Sequence, residues 1–301
     1  MNYKVELRNF WPSSNVAYLN QHGKDTTKLF LESLIKSCNL DTNVIVESIY
    51  SETSFFDKFS SKFKSLNSKK LSQYRSYEES INLTRIPGYK YLWYTAENIR
   101  PPLHLNYDAF LSHDIDGFDG RNIYLPHWVT RLSSTYSGAK NEMPKLLKKR
   151  KLSSNKRKFA CAIVSNPERV RMSFINYLSS YRKIDIYGKL GDCISNKFEV
   201  LNNYRFNICF ENSLHPGYVT EKALDSWGAG SIPVWYGSSS GSSINSKCLV
   251  NVAELGFEKA RKMIIEIDDN FSEFEGKRNE PFLEDAFNLE EVRAKLIQLI
   301  S

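Results

Sequence analysis

The stretch from Arg205 to Gly237, R-F-N-I-C-F-E-N-S-L-H-P-G-Y-V-T-E-K-A-L-D-S-W-G-A-G-S-I-P-V-W-Y-G, limits the possible folds more than any other part of the chain. Phe206 to Phe210 is a short apolar run broken only by Asn207, and Ser231 to Tyr236 is similarly β-rich. Both suit strands covered on two faces. The segment between them is too long for a hairpin. Thr220 can cap a helix through Ala223, Leu224 and Trp227 that Gly228 and Gly230 end, and strand, helix, strand in that order implies parallel pairing. Ligands of such sheets collect at the carboxyl ends of the strands. Glu211, Asn212, Ser213, Tyr218, Glu221 and Lys222 fall at that end. Lys222 sits in the first helical turn, where a cation opposes the macrodipole, and a bound phosphate would remove the conflict. A lysine turned to water is the alternative.

The flanking sequence repeats this alternation. Phe159 to Val164 reads as a strand, followed by S-N-P, a helix to about Tyr181 with Val170, Phe174, Tyr177, Leu178 and Tyr181 on its core face, and a strand over Ile184 to Tyr187. Together with the opening stretch this predicts a nucleotide-binding α/β domain. Upstream, Lys4 to Phe10 and Asn43 to Ile49 read as strands around a helix over Asp25 to Cys38, with Leu31, Leu34, Ile35 and Cys38 on one face. Ser51 to Ser80, where lysines and phenylalanines interleave, reads as helical excursions. Tyr89 to Tyr94 is an aromatic strand that runs into T-A-E-N and a Pro-Pro stop, which leaves Glu97 just past a strand end. Downstream, Ala253 to Ile267 predicts a helix. Asn288 with Glu291 forms a capping-box pattern before Leu289, Val292, Leu296, Leu299 and Ile300, and the S-S-S-G-S-S run is either a cover over a site or a linker.

In H-D-I-D-G-F-D-G, the D-x-D of Asp114 and Asp116 raises the question of a metal. Position five of a calcium loop would be Phe118, and no glutamate follows at the right spacing, so the aspartates are read as turn formers.

The chain of 301 residues is 41% hydrophobic, enough for two cores. Met1 to Trp11 mixes Lys4, Glu6 and Arg8 among apolar positions, so neither a leader nor a membrane-spanning run is expected, and the expected location is cytoplasmic, peripheral to the inner membrane. The five cysteines are scattered without C-x-x-C spacing and read as small packing residues in a reducing compartment. The net charge of +7 is concentrated between Lys145 and Lys158. No nucleic-acid-binding motif accompanies this segment, which leaves a solvated face or a contact with anionic membrane as its readings.

Three runs, F-N-I-C-F-E-N-S, P-G-Y-V-T-E-K and A-G-S-I-P-V-W-Y-G, resemble the donor-site signature of glycosyltransferase family 10, the α1,3/4-fucosyltransferases. W-Y-T-A-E-N is similar to the aromatic-Y-T-G-E-N run of the bacterial members, with Ala96 in place of the family glycine. Arg171 matches the family arginine that follows S-N-P, at a spacing one residue shorter. The resemblance implies a GT-B fold of two Rossmann-like α/β domains facing each other across a cleft. Residues 1–150 would bind the acceptor and residues 151–301 the GDP-sugar, the last helix crossing back to the first domain. The implied reaction is inverting transfer of L-fucose from GDP-β-L-fucose to a glycan hydroxyl, with Glu97 as base and no obligatory metal. Arg171, Asn212, Tyr218, Glu221 and Lys222 would hold the donor. A transferase of another GDP-6-deoxy sugar and a non-catalytic glycan-binding module are the alternatives.

Overall fold

The computed structural model of the chain describes residues 3–10, 26–49, 85–152 and 157–301. The reading of Ser51 to Ser80 lies outside the described residues. Two parallel five-stranded sheets organise the rest. The first takes β1 (Val5–Arg8), β2 (Asn43–Glu47), β3 (Tyr89–Tyr94), β4 (Ala109–Ser112) and β5 (Asn122–Tyr124) in simple spatial order. β2 and β3 are buried over Val44 to Glu47 and Tyr91 to Tyr94, which is why they read as continuous apolar runs rather than alternating ones. β1 is shorter than the expected Lys4 to Phe10 because Asn9 turns out of the strand at φ 57°. Helix α1 (Thr26–Lys36) buries Phe30, Leu31, Leu34 and Ile35. Two helices follow β5: α2 (His127–Thr130) and α3 (Tyr136–Leu146).

The second sheet has the order β10-β9-β8-β6-β7, from β6 (Lys158–Val164), β7 (Ile184–Gly188), β8 (Tyr204–Ile208), β9 (Ile232–Trp235) and β10 (Val250–Asn251). After β7 the chain returns to the other side of β6, so the topological switch point lies between β6 and β8. A crevice is expected outside their carboxyl ends. Helix α4 (Arg169–Ser179) joins β6 to β7, and α5 (Lys197–Leu201) precedes β8. Helix α6 (Glu221–Gly228) connects β8 to β9, which pair in parallel.

Helix α4 differs from the sequence reading in a way that matters for the site. Val170 and Tyr177 are exposed, and the buried stripe is Arg171, Phe174, Ile175 and Leu178. That spacing of i, i+3, i+4 and i+7 carries Arg171 inward.

The C-terminal region wraps around both sheets. Helix α7 (Val252–Asp269) is broken at Gly256, and α8 (Phe271–Asn279) follows it at a segment where no helix was expected. In α9 (Leu289–Ile300), Asn288 accepts from the Glu291 N–H, and Leu289, Val292, Leu296 and Ile300 join Phe30 and Leu34 of α1 in one apolar core. That core continues into the second unit through Val219, Ala223, Trp227 and Trp235. The Ser-Gly run is tied down, with Gly217 N–H donating to Ser240 O and Glu284 N–H to Ser243 O.

Part of the basic segment turns inward. Arg150 donates to the carbonyls of Trp227 and Arg278 and lies 3.5 Å over the Trp227 ring, while Arg157 donates to Tyr204 O and Ala229 O. Four cysteines are buried as expected, but Cys193 is exposed. Among the described residues, no helix is long and apolar enough to cross a membrane.

Candidate active site

A cavity of about 450 Å³ opens at the carboxyl ends of β6 and β8 and is closed on its far side by the segment that follows β3. Glu97, Arg171, Asn212, Tyr218, Glu221 and Lys222 all line it. The volume suits a ligand larger than a single sugar.

Arg171 is 4% exposed, and its guanidinium donates to Asn166 O at 2.6 Å and Phe210 O at 2.7 Å. Burial lowers its pKa from the ordinary arginine value. Among the described residues it makes no ion pair, so a cation is held on two backbone carbonyls at the cavity wall. Such an arrangement favours an anionic ligand. Asn212 Oδ1 stands 3.4 Å from Arg171 Nη2 and 3.2 Å from Lys222 Nζ, linking the two cations.

Lys222 has its counter-anion within the chain. Glu211 is 3% exposed and points inward, placing Oε2 3.2 Å from Lys222 Nζ. The conflict between Lys222 and the helix dipole is therefore met by Glu211 without any ligand. Glu211 also accepts from Thr220 N–H, Thr220 Oγ and Trp235 Nε1. Thr220 stands at the N-cap position but makes no side-chain cap, because its hydroxyl goes to Glu211. The first-turn N–H groups of α6 are thus left uncapped by that side chain beside the cavity, an arrangement suited to phosphate oxygens.

Tyr218 is buried and edge-on to His113, with ring centroids 4.9 Å apart. It follows Gly217, whose φ is +79° and where a Cβ would come within 2.3 Å of His113 O. Only glycine allows that approach of the two units. On the opposite side, Thr95 Oγ1 bonds both backbone groups of Glu97 and fixes the turn after β3. Ala96 is buried and outside the left-handed region, so a methyl in place of the family glycine costs the backbone nothing there.

Asp114 and Asp116 do not converge. Asp116 is exposed and accepts from Phe118 N–H as a turn residue, whereas Asp114 is buried and pairs with Arg100 and His215. His113, Asp114 and His215 bring ligand-type atoms within 4.8 Å of one another. The Arg100 guanidinium bonds all three and Asn98, so the chain's own cation fills this cluster. Asn98 also donates to Ser213, tying the Glu97 turn to the loop that carries Asn212.

Sequence reasoning missed His127, Lys197 and Asp225, which line the same cavity. Asn196 caps α5 through Phe198 N–H and Glu199 N–H, so N-K-F-E was a readable helix start that would have placed Lys197.

Residues 153–270 match the model of glycosyltransferase family 10 (fucosyltransferase), C-terminal part. The chain carries a glycosyltransferase family 10 fucosyltransferase domain. This family 10 domain contains the second sheet with Arg171, Asn212, Tyr218, Glu221 and Lys222. The chain is 30% identical over 204 residues to the alpha-(1,3)-fucosyltransferase FucT of Helicobacter pylori, covering 57% of this chain and 42% of the relative. It is 30% identical over 176 residues to a human 4-galactosyl-N-acetylglucosaminide 3-alpha-L-fucosyltransferase, FUT5, covering 54% of this chain and 44% of that one. The matches span less than half the length of these curated relatives. Among solved structures, an alpha1,3-fucosyltransferase with GDP-fucose superposes with a TM-score of 0.65 at 18% identity, over 99% of this chain and 90% of that one. A second, with GDP, gives a TM-score of 0.60 at 20% identity, over 91% and 96%. The fold is GT-B.

Proposed function

We propose that the chain is an inverting fucosyltransferase, moving L-fucose from GDP-β-L-fucose to a glycan hydroxyl, with O3 of N-acetylglucosamine or glucose as the acceptor position. One observation carries this reading: Glu97 from the segment after β3 and Arg171, Asn212, Tyr218, Glu221 and Lys222 from the family 10 domain line a single cavity. Residues 1–150 supply the acceptor side and residues 151–301 the donor side.

Glu97 takes the proton of the attacking hydroxyl as the new C–O bond forms and the bond from the anomeric carbon to GDP breaks. Negative charge then collects on the departing diphosphate. Arg171 and Lys222 face it, and the N-terminus of α6 adds about half a positive charge. These fixed charges take the place of a metal in this proposal. Glu221, an anion near the sugar, suits both its hydroxyls and the positive charge that grows at the anomeric carbon.

The test is GDP release from GDP-fucose with N-acetyllactosamine, N-acetylglucosamine and lactose as acceptors, with and without EDTA. Acceptor-dependent release that survives EDTA supports the reading. GDP binding without release, for every acceptor, counts against it.

A further inference from the structure

Glu221 is the first residue of α6, and its side chain is only 13% exposed. Asp225 lies one turn further along the same helix and is more deeply buried, its side chain 7% exposed. Two carboxylates so placed repel each other where water cannot screen them. The structure sets Lys197 against both. From α5, with its side chain 15% exposed, it pairs with Asp225 and brings Nζ 3.7 Å from Glu221 Oε1.

The other oxygen faces a different unit. His127, the first residue of α2, turns Nε2 to within 3.6 Å of Glu221 Oε2. Its Nδ1 lies 3.0 Å from the Tyr94 hydroxyl and 3.3 Å from Thr130 Oγ1. When Tyr94 donates to Nδ1, the ring hydrogen sits on Nε2, toward Glu221. Burial drives the His127 pKa down to about 4, so it acts as a neutral ring. Burial also works against charge on Glu221, but Lys197, then His127 once it is protonated at low pH, Lys222 and Arg131, outweigh it and hold the carboxyl below the usual carboxylate range. The groups around this carboxylate are thus Lys197 of α5, Asp225 and Lys222 of α6, and His127 and Arg131 at α2.

We infer that Lys197 and His127 are positioning residues: each fixes one oxygen of Glu221 on the cavity wall, so that the carboxylate meets the donor sugar in one orientation. The inference rests on the reading of Glu221 as a donor-sugar ligand. It also makes the donor subsite a joint product of the two units, since His127 precedes the family 10 domain and Lys197 belongs to it.

The test is a double-mutant cycle between Lys197→Met and Glu221→Gln, read in acceptor-dependent GDP release, in GDP affinity and in the pH profile. Lys197→Met should lower kcat by about 10- to 100-fold, as for a misplaced reacting group. GDP affinity should stay within about 2-fold, because Arg171 and Lys222 hold the phosphates. The acidic limb of kcat should move to higher pH, since a buried carboxyl without its cation takes up a proton sooner. In the Glu221→Gln background the same change should cost less than about 2-fold, and Lys197→Arg should recover most of the turnover. Equal losses in both backgrounds, or GDP affinity falling in step with kcat, would overturn the inference. If Lys197→Met does not fold, His127→Gln takes its place in the same cycle, with the same two outcomes expected and excluded. A wild-type protein that releases no GDP with any acceptor refutes the transferase reading itself, and the inference falls with it. A wild-type enzyme that turns over without this coupling refutes the inference alone.

Discussion

His127 Nε2 faces Glu221 Oε2 at 3.6 Å, and each residue opens a helix, one in each of the two units. This contact joins the segment after β5 to the wall of the cavity. A neutral histidine there has consequences for stability as well as for the site.

Burial lowers the His127 pKa to about 4, and burial, then Arg100 and His215, lower that of His113 to about 3. The unfolded chain takes up protons at both rings near pH 6.5, whereas the folded chain resists until far lower pH. The stability these rings contribute is fully present above about pH 6.5 and is lost as pH falls toward their folded values. Thermal melts between pH 7 and pH 4 should show a falling Tm, and His127→Asn should make that fall shallower. A Tm independent of pH over this range contradicts the assignment of neutral, buried rings.

Arg171 rests on two carbonyls, Asn166 O and Phe210 O, through separate nitrogens. A lysine cannot fork in this way. Arg171→Lys should therefore weaken GDP binding by about 10-fold or more in calorimetry, despite the retained charge. Unchanged affinity would move the phosphate contact to another residue.

Gly217 has no room for a side chain, since a Cβ would come 2.3 Å from His113 O at a φ of +79°. Gly217→Ala should cost about 1–3 kcal/mol through backbone strain and displace Tyr218. Denaturant unfolding measures the first effect and GDP affinity the second. A variant as stable as wild type would mean that the two units separate easily at this point.

Arg150 is half-buried and turned inward although it sits in a basic run. It bonds Trp227 O at 2.5 Å and Arg278 O at 2.7 Å. Arg150→Met should destabilise the protein by about 2 kcal/mol, and Lys151→Ala by less than about 0.5 kcal/mol. Paired thermal or denaturant melts decide this, and equal effects of the two substitutions would return Arg150 to the surface.

Seven of the ten strands among the described residues were legible because buried parallel strands leave continuous apolar runs, as at Tyr89–Tyr94 and Lys158–Val164, whereas the short β4, β5 and β10 were not read as strands. The crossover that carries Asn212, Glu221 and Lys222 was legible for the same reason, through its helix between two such runs. Side-chain direction was not. Phe174 and Leu178 are buried as expected, but Val170 and Tyr177 are apolar and exposed while Arg171 is charged and buried, so hydrophobicity alone misplaced part of the α4 stripe. Lys222 suggested a phosphate by its place in the helix, yet Glu211, eleven residues earlier, already balances it. Lys197 and His127 gain their meaning only from Glu221, which is distant in sequence, and no periodicity encodes a contact of that kind.

Glu97, the proposed base, lies across the cavity from the proposed donor residues, and one substitution tests that role most directly. Glu97→Gln, assayed for acceptor-dependent GDP release from GDP-fucose beside calorimetric GDP binding, should lose turnover by about 100-fold or more while binding GDP as wild type does. Near-normal turnover in this variant would contradict the account.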